Sequence, residues 1–185
     1  MAKKAESTLK NMLLSLTIIA IVAAAALAFV NAVTAEPIAQ AQKAKEEAAM
    51  KAVLPMAETF EATEIENCTR GLDAQGAFVG KAIKAKSDKG FGGALVAMVG
   101  LDADGNIAGY QILETAETPG LGAKADKWFQ KDGKGNVIGK NPAARLMVKK
   151  DGGDVDAISG STITSRAFCD LINNAYEIFQ KGGNE

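Results

Sequence analysis

Residues 94–113 read ALVAMVGLDADGNIAGYQIL. Ala94 to Val99 is a continuous apolar run, Ile107 to Leu113 is a second largely apolar run, and Asp102-Ala-Asp-Gly-Asn106 between them carries an Asp-Gly turn. Two such runs around such a turn predict a β-hairpin. The spacing Asp102-x-Asp104-x-Asn106 also opens a calcium loop, but the sixth position holds Ile107 in place of Gly and the twelfth holds Leu113 in place of Glu. The hairpin reading stands and no metal site is assigned. Upstream, the texture turns β-like near Thr59 and Phe78 to Ala85 predicts a strand; downstream, Arg145 to Lys149 predicts another.

Further toward the carboxy terminus the period changes. Phe168, Leu171, Ile172, Ala175, Ile178 and Phe179 form one stripe on a 3.6-residue helix, with Arg166, Asp170, Asn173, Asn174 and Glu177 on its polar side. This amphipathic helix is expected to dock on the β elements. Its amino end falls in Ser159-Gly-Ser-Thr-Ile-Thr-Ser165. A helix amino terminus presents unpaired N–H groups and partial positive charge to an anion, while Ser and Thr there also serve as simple caps, so both readings stand. Two glycine-rich stretches are tested as phosphate loops. Between Gly133 and Gly139-Lys140 there are five residues where a Walker loop has four, and Asn141 replaces the magnesium-holding Ser/Thr. Gly120-x-Gly122-x-x-Ala125 fits the loose dinucleotide fingerprint before a short helical pattern ending at Trp128-Phe129, but Pro119 precedes it directly and no acidic residue follows at the spacing for a ribose.

Toward the amino terminus, Met12 to Val33 holds no charged residue and has the length of a membrane-crossing helix. Ser15, Thr17 and Asn31 are its only polar interruptions, and a helix returns hydroxyls to its own carbonyls. Lys3, Lys4 and Lys10 precede it with only Glu6 opposing, so the positive-inside rule places the amino terminus in the cytoplasm and everything after Thr34 outside. Val33-Thr34-Ala35 has the small-residue pattern of a signal-peptidase site, but the apolar run is longer than a signal peptide requires, and an uncleaved anchor is the reading adopted. Pro37 to Leu54 predicts a second helix, with Pro37 in its first turn and Pro55 ending it, serving as a stalk or packing on the domain.

Composition narrows the chemistry. The 185 residues contain no histidine, which removes Ser-His-Asp hydrolysis and His-ligated metals, and no catalytic side chain is assigned. The two cysteines are too few for an all-cysteine zinc site or a single-chain iron–sulfur cluster. With 21 basic and 22 acidic residues there is no electrostatic case for nucleic acid. Redox work would need an organic cofactor or partner subunits.

Asp156-Ala-Ile-Ser-Gly-Ser-Thr162, continued by Ile163-Thr164-Ser165, resembles the flavinylation motif of FMN-binding domains, and Glu114-Thr-Ala-Glu-Thr-Pro-Gly-Leu-Gly122 resembles a loop that lies near the flavin in the same family. With one amino-terminal membrane helix, the whole chain is similar to the RnfG components of Rnf electron transport complexes, relatives of the NqrC component of sodium-translocating NADH:quinone reductase. The resemblance implies an α+β chain: residues 1–11 cytoplasmic, 12–33 a transmembrane helix, 34–58 a helical connector, and 59–185 one extracytoplasmic FMN-binding domain with antiparallel β-hairpins and the terminal helix. It implies FMN esterified through its phosphate to Thr162 by a separate flavin transferase, with Asp156, Ser159, Gly160 and Ser161 as recognition sequence and phosphate cradle. Ser161 departs from the alanine commoner there. Thr118 and the Pro119, Gly120, Leu121 and Gly122 backbone would contact the isoalloxazine or ribityl chain. The implied role is electron transfer within an ion-translocating ferredoxin:NAD oxidoreductase moving sodium or protons, with the other complex subunits and the lipid bilayer as partners. A stand-alone anchored or secreted flavin module with sensory work is the alternative. An external transferase is chemically sensible, because an unactivated threonine hydroxyl is a poor nucleophile and this chain has no histidine to activate it.

Three features remain open on sequence grounds. Trp128 and Phe129 suit a flavin face or a core; Cys68 and Cys169 suit a disulfide or simple packing; Lys81, Lys84, Lys86 and Lys89 suit a solvated strand face or an acidic partner.

Overall fold

The computed structural model describes residues 8–182. The chain divides into two compact units, Met1–Ala44 and Lys45–Glu185. One helix, α1 (Leu9–Val53), supplies most of the described part of the first and enters the second. Within the first unit its apolar window has a mean hydropathy of 2.7 and is long enough to cross a membrane. The hydroxyls of Ser15 and Thr17 donate to the carbonyls of Met12 and Leu13 at 3.0 and 2.9 Å, so both hydroxyls are satisfied without leaving the helix. The second helix expected from Pro37 to Leu54 is not separate: Pro37 lies inside α1. A proline removes a single i→i−4 bond, and the Ala-, Gln-, Lys- and Glu-rich residues after it propagate a helix well enough to absorb that loss.

In the second unit, β1 (Thr59–Ala62), β2 (Cys68–Leu72), β3 (Phe78–Ser87), β4 (Leu95–Asp102) and β5 (Ile107–Thr115) form an antiparallel sheet in chain order. The predicted hairpin is the β4–β5 pair. Asp102 Oδ1 accepts from the Asp104 and Asn106 N–H groups at 3.0 and 2.8 Å, so this carboxylate closes the turn. Gly105 takes φ 80° there, a conformation that costs an L side chain.

The unbroken apolar run in β4 has a physical reason: both faces of the strand are covered. Leu95, Ala97, Val99 and Leu101 face a core with Ile83, Tyr110, Phe129, Phe168, Leu171 and Ile172, while Val96 and Met98 face a smaller cluster with Ala49, Val53, Leu54 and Ala57. The last turns of α1 therefore pack on one sheet face, and Gly100 and Gly109, cross-strand partners, make room for them. A Cβ on Gly100 would sit 2.3 Å from the Val53 carbonyl oxygen. On the same face Lys84 pairs with Glu46 at 2.6 Å, and Lys45 donates to the Leu113 carbonyl.

On the opposite face lies α3 (Thr162–Lys181), the amphipathic helix read from the sequence. Phe168 is fully buried, stacked on Phe129 at 4.1 Å and edge-on to Tyr110 at 4.8 Å. Phe129 is thus core, not ligand surface. One polar residue of the expected outer face is buried: Asn173 accepts from the Leu146 N–H and donates to the Leu146 carbonyl, both at 2.9 Å. That pair explains why Arg145 to Lys149 is not the predicted strand. The Leu146 backbone is satisfied by a side chain, Arg145 sits at φ 55°, and only an isolated bridge joins Val148 to Val155. Replacing Asn173 with alanine strands both buried backbone groups and should cost about 2–3 kcal/mol, measured by urea unfolding of the detergent-solubilised chain.

The lysine series divides. Lys81 is buried, its ammonium 5.2 Å from the Phe179 ring, contrary to a fully solvated face. Lys86 pairs with Asp88, and Lys89 with Asp170 at 2.6 Å. Burial works to raise the Asp170 carboxyl, but hydrogen bonds from Lys89 and Ser87 outweigh it and hold the group below its usual range. A depressed folded pKa gives stability present above the unfolded value and lost as pH falls through the folded one. Asp170→Asn should therefore flatten the Tm–pH curve below about pH 4, read by thermal unfolding. Cys68 and Cys169 are free and buried, and burial pushes the Cys169 thiol up to about 12.

Candidate functional site

Two chain segments meet at the amino end of α3. The first follows β5: Glu117 and Thr118, then a 3-10 turn at Gly122–Lys124 and the short helix α2 (Ala125–Trp128). The second is the Asp156 to Ser161 run that leads into α3. Between them lies a cavity of about 400 Å³ lined by Thr118, Leu121, Gly122, Gly160, Ser161 and Thr162 from the residues singled out by sequence. Pro119, Gly120, Asp156 and Ser159 do not line it. Phe91, Glu117, Lys150, Ile163 and Thr164 complete the wall.

The helix terminus is open in the manner an anion needs. Ser161 is the N-cap residue at φ −135°, ψ 51°, and its side chain makes no capping bond. Ser165, buried, is occupied instead: its hydroxyl accepts from the Ile158 N–H and donates to the Ser161 carbonyl, both at 2.9 Å. That pair fixes the bend before α3 and leaves the first-turn N–H groups without a side-chain partner. Gly160, at φ 79°, turns the chain at this point. The simple-cap reading of the Ser/Thr cluster thus fails for Ser161, the residue that would cap.

A single 3-10 turn, Lys149–Asp151, ties the motif down. Lys149 pairs with Asp156 at 2.7 Å, Lys150 reaches the Thr162 hydroxyl at 3.4 Å, and Asp151 accepts two bonds of 2.6 Å from Arg166. The Arg166 guanidinium holds the Asp151 carboxyl below its usual range. Its two neighbours in this turn thus have carboxylate or guanidinium partners, whereas Lys150 has a hydroxyl on the cavity wall. Trp128 also serves the motif, its indole donating to the Asp156 carbonyl at 2.8 Å.

On the facing wall Glu117 is buried and accepts from the Phe91 N–H at 2.8 Å. Gly122 cannot carry a side chain beside it, because a Cβ would lie 2.4 Å from Glu117 Oε2 and 2.8 Å from Thr164 Oγ1. Sequence reasoning missed Glu117, Phe91 and Lys150. Glu117 lay inside the quoted Glu114 to Gly122 stretch, so its signal was present; nothing local marked Phe91 or Lys150, which reach the cavity only through the tertiary fold.

The residues fit a flavin mononucleotide. An uncapped helix terminus and an ammonium suit its phosphate, Leu121, Ile163 and Phe91 suit its ring, and the cavity volume falls within the roughly 300–1,000 Å³ usual for ligand sites.

Comparisons with known proteins agree with this chemistry. Residues 90–177 match the FMN-binding domain, and residues 1–53 match the RnfG N-terminal region. The chain is 32% identical over 189 residues to the G subunit of the Na(+)-translocating ferredoxin:NAD(+) oxidoreductase complex of Acetobacterium woodii, covering 90% of this chain and 89% of that protein. It is 32% identical over 179 residues to the G subunit of the ion-translocating oxidoreductase complex of Methanosarcina acetivorans, covering 90% and 92%. Among solved structures, Shewanella oneidensis NqrC aligns over 72% of this chain and 74% of its own at 18% identity and a TM-score of 0.45. With both family regions matched in order and near-complete coverage of its relatives, the chain belongs to the RnfG family of Rnf-type ion-translocating oxidoreductase complexes.

Proposed function

We propose that this chain is the electron-carrying subunit of its complex, holding FMN covalently through a phosphoester on Thr162. The observation that carries the reading is the position of Thr162: first residue of α3, on the wall of the cavity, after an N-cap serine that does not cap, with Lys150 at its hydroxyl. The bound flavin would supply reversible electron uptake and release. The protein's own part is positional. The first-turn N–H groups of α3 and the Lys150 ammonium oppose the charge of a phosphoester. Leu121 and Ile163 offer apolar wall where a ring would exclude water. Gly122 lets the buried Glu117 carboxylate stand close behind that wall.

The Acetobacterium woodii relative belongs to a Na⁺-translocating ferredoxin:NAD⁺ oxidoreductase; by analogy the complex here passes electrons between ferredoxin and NAD and couples this to ion movement, of Na⁺ or H⁺. In this reading residues 1–11 are cytoplasmic, 12–33 span the cell membrane, 34–58 connect, and 59–185 form the flavin domain on the extracytoplasmic side, where a transferase loads it. The excess of Lys3, Lys4 and Lys10 over Glu6 supports that orientation. Covalent attachment suits this compartment, because a tethered cofactor cannot diffuse away.

Intact mass tests the reading directly. Co-expression with a flavin transferase should add about 440 Da, one FMN less water, and expression without it should leave a colourless protein. Co-purification with membrane redox subunits separates the complex-bound carrier from a stand-alone flavin module.

A further inference from the structure

Among the described residues of the second unit, the exposed large apolar side chains are Met56, Phe91, Leu121, Met147 and Ile163. Three of the five, Phe91, Leu121 and Ile163, line the cavity that contains Thr162. Phe91 is the most exposed at 70% and the only ring among them. An aromatic side chain normally contributes by burial, so one displayed at the rim of a cavity is placed for a ligand or a partner.

The loop that displays Phe91 is held by its backbone. Its N–H is bonded to the buried Glu117 carboxylate. Gly92 lies so close to the neighbouring segment that a Cβ would meet the Ala116 carbonyl oxygen at 2.0 Å. A Cβ on Gly90 would meet the Gly93 carbonyl oxygen at 2.3 Å and Glu117 Oε1 at 2.8 Å. Gly93 adopts φ 131°. Side-chain packing does not set the position of Phe91; three glycines and a buried carboxylate do. The ring is therefore fixed at its root and uncommitted on its faces, which suits a planar aromatic system offering a matching face.

We propose that Phe91 is the stacking face for the isoalloxazine ring of the flavin on Thr162, shielding one side of that ring from water. This rests on the reading that Thr162 carries FMN. Glu117 is then a positioning residue, acting by anchoring the Phe91 backbone. The chemistry recognised is an extended heteroaromatic ring system, and the apolar rim of Leu121 and Ile163 serves the same ring.

The test uses the full-length chain, co-expressed with a flavin transferase and purified in detergent, as wild type, Phe91→Ala and Phe91→Trp. All three should carry the FMN mass, since Phe91 is exposed and contributes little to the core. Loss of the stack in Phe91→Ala should raise the iodide Stern–Volmer constant of the flavin about threefold or more, because stacking shifts the closed-to-open ratio by about that factor. In Phe91→Trp an indole in contact with the flavin donates an electron to its excited state, and emission should fall about tenfold. If Phe91→Ala does not take up flavin, Phe91→Leu replaces it under the same criterion, keeping apolar bulk without a ring face. Unchanged iodide access together with unchanged emission in the tryptophan variant would overturn the proposal. That result with diminished co-purification of other subunits would assign Phe91 to protein docking instead. A wild-type chain without adduct fails the underlying flavin reading, a result separable from either.

Discussion

Thr162→Ala is expected to abolish flavin fluorescence from the denatured band on a gel and to remove the whole FMN increment from the intact mass. The effect should be complete, and the neighbouring hydroxyls explain why. Thr164 and Ser165 are buried, and the Ser165 hydroxyl is already committed at both ends to Ile158 and Ser161. Ser161 is 8% exposed at the N-cap. None of these presents an oxygen to an external transferase as the half-buried Thr162 does. Thr162→Ser, which keeps a hydroxyl on the same turn, should retain the adduct at a lower yield. Full retention in the alanine variant would move the attachment elsewhere, with exposed Ser159 then the accessible candidate.

Phe168→Ala should be the most damaging core substitution, at about 3–5 kcal/mol. The side chain is fully buried, stacked on Phe129 and edge-on to Tyr110, so removing it empties the junction between α3, α2 and the sheet. The surrounding groups cannot close in readily. The Tyr110 hydroxyl is held by the Ala125 carbonyl at 2.6 Å, and the Trp128 indole by the Asp156 carbonyl. Because α2 leads from the Thr118 to Gly122 wall and α3 begins at Thr162, loss of this junction should also loosen the cavity. Urea unfolding reads the stability loss, and a lower flavin-transfer yield at equal expression reads the second effect.

Periodic signals were legible where one element faces one environment. The β4–β5 hairpin and the α3 stripe are of this kind, and both appear at the positions their spacing implied. What escaped sequence reading were features that depend on a distant partner. β1 begins at Thr59, where the β-like texture was read, whereas β2 went unmarked because it is short and Arg70 and Gly71 interrupt any alternation. The strand expected at Arg145 to Lys149 looked apolar enough, but a single amide, Asn173, claims both backbone groups of Leu146 within it. Asn173 itself was placed on the polar side by its chemistry, and it is buried because two hydrogen bonds offset the cost. Pro37 suits the first turn of a new helix, but the one bond it removes does not divide α1. In the site, the two motifs pointed to each other through their resemblance to one family, and the fold brings nine residues of the two quoted stretches, six of them singled out by sequence, around one cavity. The lysine at Thr162 and the aromatic at the rim carry no local pattern and become visible only once the loops are placed.

The chain-order sheet has a consequence for when a flavin could be attached. Each strand of β1 to β5 pairs with the one made just before it, so the sheet closes through local contacts that form early and fast. The motif helix is different: it reaches back to β3, with the Ser87 to Asp170 hydrogen bond spanning 83 residues of sequence. Synthesis therefore delivers the platform first and the helix that starts at Thr162 last. Thr162 acquires its setting only after every strand beneath it is in place, so assembly order itself acts as an inspection step: a transferase that requires the ordered α3 terminus would modify finished domains and pass over incomplete ones.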